Sequence, residues 1–204
     1  MKLLVLFLLS TSAFAASNES SFNLKTKANK FFNSVNDGLR VGIAQGNLHA
    51  DIRRRNSSGA DFSAKDNSRT KIQLHAGYEY TRTKTLGYSV FAAYQDISQG
   101  IASLNEDVRN LRVSGNATYG FNPQTYAYGG LNYGKFYGSA LIENNFDAGI
   151  GYQIGAGYKV NKQAIVEIEY LTLFNQGRIA NNDNYDLSAK GIMLKLNTPF
   201  TINL

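Results

Sequence analysis

Apolar and polar residues alternate along most of this chain. In residues 146–160, every second residue from Phe146 to Val160 is apolar, and the residues between them are Gly, Asp, Gln or Lys. A period of two is typical of β-strands, whose successive side chains point to opposite faces. The same pattern, bounded by turn-forming residues, predicts eight strands. They are residues 39–52, 70–81, 86–96, 108–121, 125–136, 146–160, 163–174 and 187–198.

The connections between these strands are long and short in strict alternation. Residues 83–85, 122–124 and 161–162 form tight turns, whereas residues 53–68, 97–107, 137–145 and 175–186 form longer, polar loops. In an up-and-down barrel, this order places every tight turn at one end and every long loop at the other. Outer-membrane barrels have the same asymmetry, with short periplasmic turns and long extracellular loops.

The first 37 residues do not share the strand pattern. Lys2, the apolar run Leu3–Leu9 and the sequence Ala13-Phe14-Ala15 predict a signal peptide, residues 1–15, cleaved after Ala15. The apolar run is too short to span a bilayer. Residues 16–37 are interpreted as a periplasmic N-terminal leader, with an interfacial helix as the alternative. Residues 38–204 are predicted to form the barrel domain.

Two observations indicate that the apolar face of the strands is the outer face. Glycines accompany the polar residues, as the crowded interior of a narrow barrel requires. Aromatic residues cluster at both strand ends, as two lipid interfaces favour. The predicted belts are Tyr80, Tyr88, Tyr119, Phe121, Tyr126 and Tyr158 at the tight turns, and Tyr94, Tyr133, Phe136, Phe146, Tyr170 and Phe174 at the long loops. Ile150, Tyr152 and Ile154 are therefore expected to face acyl chains, with Ile150 near the middle of the bilayer.

Late in the chain, residues 146–174, FDAGIGYQIGAGYKVNKQAIVEIEYLTLF, combine Gly-aromatic repeats, a tight turn and the strand VEIEY. This hairpin resembles the small outer-membrane barrels of Gram-negative bacteria, the OmpA/OmpX-like "porin family" group. The resemblance covers most of residues 38–204. It implies an eight-stranded antiparallel up-and-down transmembrane β-barrel in the bacterial outer membrane, inserted by the outer-membrane insertion machinery. The family usually ends in Phe, whereas this chain has Pro199 and ends in Leu204, so we expect the last strand to stop or bulge at the proline.

Charged residues on the polar faces are predicted to form a network inside the barrel. Glu167 and Glu169 lie two apart on one strand, and carboxylates in a narrow lumen require cationic partners. We interpret them as a salt-bridge cluster rather than as a catalytic acid–base pair. The predicted lumenal charge network is Lys71, Glu79, Arg112, Asp147, Lys159, Glu167, Glu169 and Lys195.

A second group of charges lies in the first long loop. Arg53, Arg54, Arg55 and Lys65 form a basic cluster there. Such a cluster is suited to lipopolysaccharide phosphates, to sulfated host glycans or to another cell's surface. The alternative is a solvated loop without a specific ligand.

The composition narrows the chemistry of the protein. Cysteine is absent, which excludes disulfides and thiolate metal sites, and the two histidines are not spaced as metal ligands. We predict no cofactor and no enzymatic activity. The net charge of +6 is not interpreted as a nucleic-acid signal in an exported protein. The expected partners are outer-membrane lipid, lipopolysaccharide and host or cell-surface ligands, and the chain is expected to be a monomer.

Three functions remain open from the sequence. The first is a structural or surface-adhesion role through the long loops. The second is a narrow channel for water or small ions, and the third is a lipid-modifying enzyme in the barrel wall. A deacylase of that kind needs a His and a Ser together on the lipid-accessible face, but the alternation places His75 on the inner face. We favour the first function.

Overall fold

The computed structural model of the protein describes residues 38–55, 62–69, 72–83, 85–97, 108–138, 146–179 and 183–200. All of these residues belong to the larger of the two units of the chain, Phe31–Leu204. The predicted signal peptide and leader lie outside the described residues. No helix of the described part is long and apolar enough to cross a membrane.

Nine β-strands form the described structure. In chain order they are β1 (Gly38–Arg55), β2 (Phe62–Arg69), β3 (Gln73–Thr81), β4 (Leu86–Ile97), β5 (Val108–Gly120), β6 (Thr125–Tyr137), β7 (Gly149–Lys159), β8 (Ile165–Ile179) and β9 (Asp183–Phe200). Every pairing is antiparallel, and β1 pairs with β9, so the sheet closes on itself.

The nine strands occupy eight positions around the barrel. β2 and β3 both pair with the same edge of β1, β2 with residues 47–54 and β3 with residues 38–44. The two strands therefore follow one another along β1 and fill one position in the barrel wall. The predicted eight-stranded antiparallel barrel is therefore confirmed. Closure gives β1 and each of the strands β3 to β9 a paired neighbour on both sides, as a membrane barrel requires because the bilayer core offers no partners to a free edge.

The register around the barrel sets the tilt of its strands. A path that follows paired residues once around the wall starts at Gly38 and returns to β1 at Leu48, a shift of ten residues. The residues between are Glu79, Ser89, Asn116, Gly130, Gln153, Leu171 and Gly191. For eight strands, this stagger corresponds to a tilt of roughly 40° and a lumen only wide enough for side chains.

The two faces of the wall have opposite polarity along most of its height. Large apolar side chains such as Ile154, Leu131 and Ile192 point outward and are 57–63% exposed. Polar side chains such as Glu169, Gln95 and Asn132 point inward and are buried. In β1 the alternation continues without a break through Gln45 and Gly46, so this strand keeps one register over its whole length.

Two of the predicted long loops are wrong in their boundaries. β1 continues to Arg55 and β2 begins at Phe62, so most of the segment 53–68 is strand. β8 continues to Ile179 and β9 begins at Asp183, which shortens the segment 175–186 in the same way. β1, β2, β8 and β9 therefore extend further at the loop end than the alternation predicts. The strand predicted from residue 146 begins at Gly149 instead, after an isolated bridge between Phe146 and Gly177.

Three of the predicted belt aromatics face the interior. Tyr126, Phe136 and Phe146 are 5%, 1% and 2% exposed, whereas the other nine predicted belt residues are 36–66% exposed. The outward rings still form one belt at each end of the barrel. Ile150 lies at the loop end of β7, so Ile154 is the residue of this strand nearest the middle of the bilayer.

The end of β9 also differs from the expectation. The strand neither stops nor bulges at Pro199, which pairs with Arg40, and Phe200 pairs with Leu39. The β8–β9 register ends at Asn197, so Pro199 lies where β9 has a described partner on one side only. A missing N–H is tolerated at such a position. Phe200 is 47% exposed and closes the outward row of β9 with an aromatic ring.

The outward apolar face predicts a depth-dependent response to charge. Ile154→Arg, in the middle of β7, should destabilise the barrel by roughly 2–4 kcal/mol, whereas Val160→Arg at the tight-turn interface should cost roughly 0–1 kcal/mol. Both side chains are half exposed or more, so only their depth differs. Denaturant unfolding from lipid vesicles measures both. Equal costs would contradict the placement of Ile154 in hydrocarbon.

Candidate functional site

The lumen near the tight turns is filled by a cluster of ion pairs. The Arg40 guanidinium on β1 pairs with Glu79 on β3, and its Nη1 lies 3.6 Å from Glu167 Oε1 on β8. Lys195 Nζ on β9 lies 2.5 Å from Glu169 Oε2 and 4.0 Å from Glu167 Oε2. All five side chains are buried. Because four strands supply them, this cluster ties the wall together across the point where the barrel closes.

Two tyrosines on β6 reach the same carboxylates across the intervening strand. Tyr126 donates a hydrogen bond to Glu167, and Tyr128 donates one of 2.9 Å to Glu169. The residues of β7 between these pairs are Gly157 and Gly155, in direct register with both partners. A Cβ atom at Gly155 would lie 2.6 Å from the Tyr128 hydroxyl oxygen, and one at Gly157 would lie 2.5 Å from the Tyr126 hydroxyl. Glycine is needed here because the rings lie directly over the backbone.

The same arrangement recurs at the β3–β1–β9 junction. His75 Nε2 and Asn197 Oδ1 are 2.5 Å apart and share a hydrogen bond across Gly42. Gly42 is paired with His75 on one side and with Asn197 on the other. His75 is thus buried and held by an amide. It does not reach the lipid-facing surface, and this geometry gives no support to a deacylase.

Between the ion pairs and the loop end, the lumen contains a layer of side-chain amides. Arg112 donates to Gln95 Oε1 at 2.9 Å and to Gln73 Oε1 at 2.6 Å. On the other side of the lumen, Gln153 donates to Asn116 Oδ1 at 2.6 Å and accepts from Asn132 at 3.4 Å. The polar contents of the lumen therefore bond mainly to one another.

The lumen at the loop end is apolar. Eight side chains, each at most 3% exposed, meet there: Leu48, Ile97, Val108, Phe136, Phe146, Leu173, Leu187 and Ala189. Most of the barrel strands contribute, and together with Ala44, Leu171 and Met193 they form one contiguous cluster. We call this cluster the apolar seal. The outward face at the same level carries charged residues, among them Arg109 and Lys190, which are exposed.

Six of the eight residues of the predicted lumenal charge network are buried in the lumen: Glu79, Arg112, Lys159, Glu167, Glu169 and Lys195. Asp147 is exposed and lies before the start of β7, and Lys71 lies outside the described residues. Lys159 Nζ lies 5.6 Å from the centre of the Tyr126 ring. Arg112 contacts two amides rather than the glutamates expected for it.

Arg40 is a central residue that the sequence reasoning missed. It lies on the inner face of β1 between the outward residues Leu39 and Val41, so its alternation was visible in the sequence. Its partner Glu79 lies on β3, which pairs with β1 directly. Its partner Glu167 lies on β8, which comes close to β1 only because β9 closes the barrel onto β1. A pattern of residues along the chain does not show which side chains face one another across that closure.

The predicted basic cluster lies on strands rather than in a loop. Arg53, Arg54 and Arg55 are the last residues of β1, and Lys65 lies on β2 opposite Asp51. These segments belong to a taller part of the barrel, which we call the raised wall: residues 47–55, 62–69, 174–179 and 183–190. Following the registers around the barrel, the raised wall extends beyond the described ends of β4 to β7 by about 10 Å.

Comparison with known proteins places this barrel in a family. Residues 1–197 match the family described as "Outer membrane protein beta-barrel domain". The chain belongs to this outer-membrane β-barrel family. The predicted resemblance and the predicted location in the bacterial outer membrane are confirmed by this match.

Solved structures of other outer-membrane barrels are similar to this family member at low sequence identity. Neisserial surface protein A is 18% identical, with a TM-score of 0.43 over 80% of this chain and 97% of that one. The outer membrane protein OprG from Pseudomonas aeruginosa is 13% identical, with a TM-score of 0.48 over 84% and 100%. Ail, the attachment invasion locus protein of Yersinia pestis, is 15% identical, with a TM-score of 0.35 over 78% and 99%. No curated protein sequence matches significantly.

Because Tyr126 and Tyr128 cross directly over Gly157 and Gly155, a side chain added at either glycine should destabilise the barrel more than one added at a glycine without such a ring above it. Gly157→Val should destabilise the barrel by roughly 1–3 kcal/mol, because the new side chain overlaps the Tyr126 ring. Gly115→Val is the matched control, since a Cβ at Gly115 meets no described atom within 4 Å and valine favours strands. Unfolding in urea measures both. A cost at Gly115 equal to that at Gly157 would contradict the proposed crossing.

Proposed function

We propose that this outer-membrane barrel is a non-enzymatic, non-conducting surface protein that anchors the raised wall for structural or adhesive contacts outside the cell. The observation that carries this proposal is the apolar seal. A channel for water or ions needs polar groups along its whole length, because an ion in an apolar constriction loses its hydration without compensation. The seal lies across the path from the ion pairs to the loop end.

The contents of the lumen support the same proposal. In the ion-pair cluster, each charged group has an opposite charge within 4.0 Å. Opening a path would separate buried pairs, and removing one partner of a buried pair costs about 3–5 kcal/mol. The lumen therefore acts as a core that holds the wall rigid. The surface available for function is then the part of the strands beyond the bilayer.

The raised wall is the most extended external surface that the described residues provide. Its strands are paired throughout, so it presents a fixed sheet instead of four separate loops. Residues on a rigid sheet are held for contact at a lower entropic cost than residues on mobile loops. A structural or adhesive role through this wall is the best supported function.

The proposed closed lumen predicts no steady conductance in planar lipid bilayers. At most, small intermittent events are expected from the unmodified protein. Replacing both Glu167 and Glu169 by Gln should lower stability, because Arg40 and Lys195 lose their carboxylate partners, and should increase the frequency of these events. A large, stable conductance that passes small solutes in the unmodified protein would contradict the proposal and favour the channel.

The proposed contact role predicts that adhesion depends on the raised wall. Replacing residues 54–62 by Asn-Gly joins the pair Arg53 and Ser63 by a two-residue turn and leaves the register below it intact. Cells that display this variant should adhere less to epithelial monolayers and to one another than cells that display the unmodified barrel. Replacing the tight turn 122–124 with Asn-Gly is the control at the other end. Adhesion unchanged in the first variant would contradict the role proposed for the wall.

A further inference from the structure

A series of hydrogen bonds runs around the inside of the wall through His75. Arg112 Nη2 on β5 lies 2.6 Å from Gln73 Oε1 on β3, and Gln73 Nε2 lies 3.4 Å from His75 Nδ1. His75 Nε2 lies 2.5 Å from Asn197 Oδ1 on β9. We call these four buried side chains the His75 network. The network extends over five adjacent positions of the wall, from β5 across β4, β3 and β1 to β9.

A small residue lies beneath each strand crossing of the His75 network. Ala93 on β4 is paired with Arg112 on one side and with His75 on the other. Gly42 on β1 is paired with His75 and with Asn197, and a Cβ atom at Gly42 would lie 2.5 Å from His75 Nε2. The network therefore depends on small residues at the crossings, as the tyrosine contacts over β7 do.

The guanidinium of Arg112 sets the direction of the bonds in this network. Arginine can only donate hydrogen bonds, so the Gln73 atom that faces it is the oxygen, and the Gln73 nitrogen faces His75. That nitrogen donates, so His75 Nδ1 accepts and the ring proton lies on Nε2, which donates to Asn197. The contacts on both sides of the ring therefore fit a neutral imidazole in a single tautomer.

A second proton on His75 would conflict with this direction. It would place an N–H donor at Nδ1 opposite the Gln73 nitrogen, which is also a donor. Gln73 could turn its oxygen toward the ring only by turning its nitrogen toward Arg112, where two donors would then meet. The guanidinium would have to leave Gln73. Glu169, whose charge attracts Arg112, offers an alternative acceptor, because its Oε1 accepts no hydrogen bond from the described residues.

A second proton would also add to an existing excess of positive charge in the lumen. The charged side chains that face His75 are Arg40 on β1, Glu79 on β3, Arg112 on β5, Lys195 on β9 and, beyond β9, Glu167 and Glu169 on β8. β4 presents the Phe91 ring instead, with its centre 6.0 Å from that of the imidazole. The three glutamates already pair with Arg40 and Lys195. With Lys159, the described lumen thus has four bases against three carboxylates.

We propose that His75 is an acid-sensitive switch of the lumen. The neutral ring completes the network and holds Arg112 on Gln73. Protonation in acid breaks the network, releases the guanidinium and loosens the closed lumen. Imidazole suits this role because its charge changes in the range from about pH 5 to 8. This inference rests on the proposed function, since it concerns the lumen that is proposed to be closed.

Nitrogen NMR of histidine-labelled protein in lipid vesicles tests the network directly. The sequence has only two histidines, so His49→Gln leaves His75 as the only histidine signal. At about pH 7 the ring should be protonated at Nε2 alone. Gln73→Glu should add the proton at Nδ1 at the same pH, because a carboxylate accepts from Arg112 and from Nδ1–H together. A ring protonated at Nδ1 alone, or a ring unchanged by Gln73→Glu, would overturn the proposal.

Recordings from planar lipid bilayers test the switch. Intermittent events of the unmodified protein should become about ten-fold more frequent from about pH 7 to about pH 4.5, the effect of losing one hydrogen bond to a charged group. His75→Gln should lack this increase, because glutamine offers an acceptor and a donor but takes no proton. His49→Gln, at the exposed histidine, is the matched control and should retain it. A heat-modifiable gel shift shows that each variant is folded.

The recordings distinguish failure of this inference from failure of the proposed function. An equal increase in His75→Gln, with the lumen closed at about pH 7, would overturn the switch alone, because the acid response would then come from other groups. A steady conductance of the unmodified protein already at neutral pH would contradict the closed lumen, and the switch with it.

Discussion

A barrel of eight strands has room inside for little more than its own side chains, and this limit determines how the interior is built. Every charge that the alternation directs inward must find its partner within the lumen. Arg40, Glu79, Glu167, Glu169 and Lys195 meet this requirement as a single cluster. Because the partners lie on strands that are distant in sequence, the cluster also favours one closure of the wall. A shifted register would leave buried charges without partners, which is costly.

Glycine makes these cross-lumen contacts geometrically accessible. In a narrow barrel, a side chain can reach a partner two strands away only by passing over the strand between them. Tyr126 and Tyr128 do so over β7, and His75 does so over β1. The bridged residues are Gly157, Gly155 and Gly42, each in register with both partners. The Gly-aromatic repeats of the sequence therefore do more than supply small residues to a crowded lumen. They mark the strands over which a side chain crosses to reach its partner.

The environment outside the wall explains why the polarity of the interior changes along the strands. Within the bilayer, the wall is apolar outside and polar inside. Beyond it, the outer face meets water and carries Arg109 and Lys190, while the inner face becomes the apolar seal. β9 shows the change within a few residues: Lys195 and Met193 are successive inward residues, and Ile192 and Lys190 are successive outward ones. The upper barrel is stabilised as a water-soluble barrel is, by hydrophobic burial in its interior.

This change of polarity also explains what could be predicted from the sequence. The strands within the bilayer, the tight turns and the inward positions of Glu79, Glu167 and Glu169 follow from the alternation and the turn residues. Residues 53–68 were predicted to be a loop because polar residues on an exposed strand and in a loop look alike. Phe136 and Phe146 were assigned to the outer belt because rings near strand ends suit either face. Arg40 was missed because its contact with Glu167 on β8 depends on closure of the barrel. Each error lies where the surroundings of the strand change or where contacts are long-range.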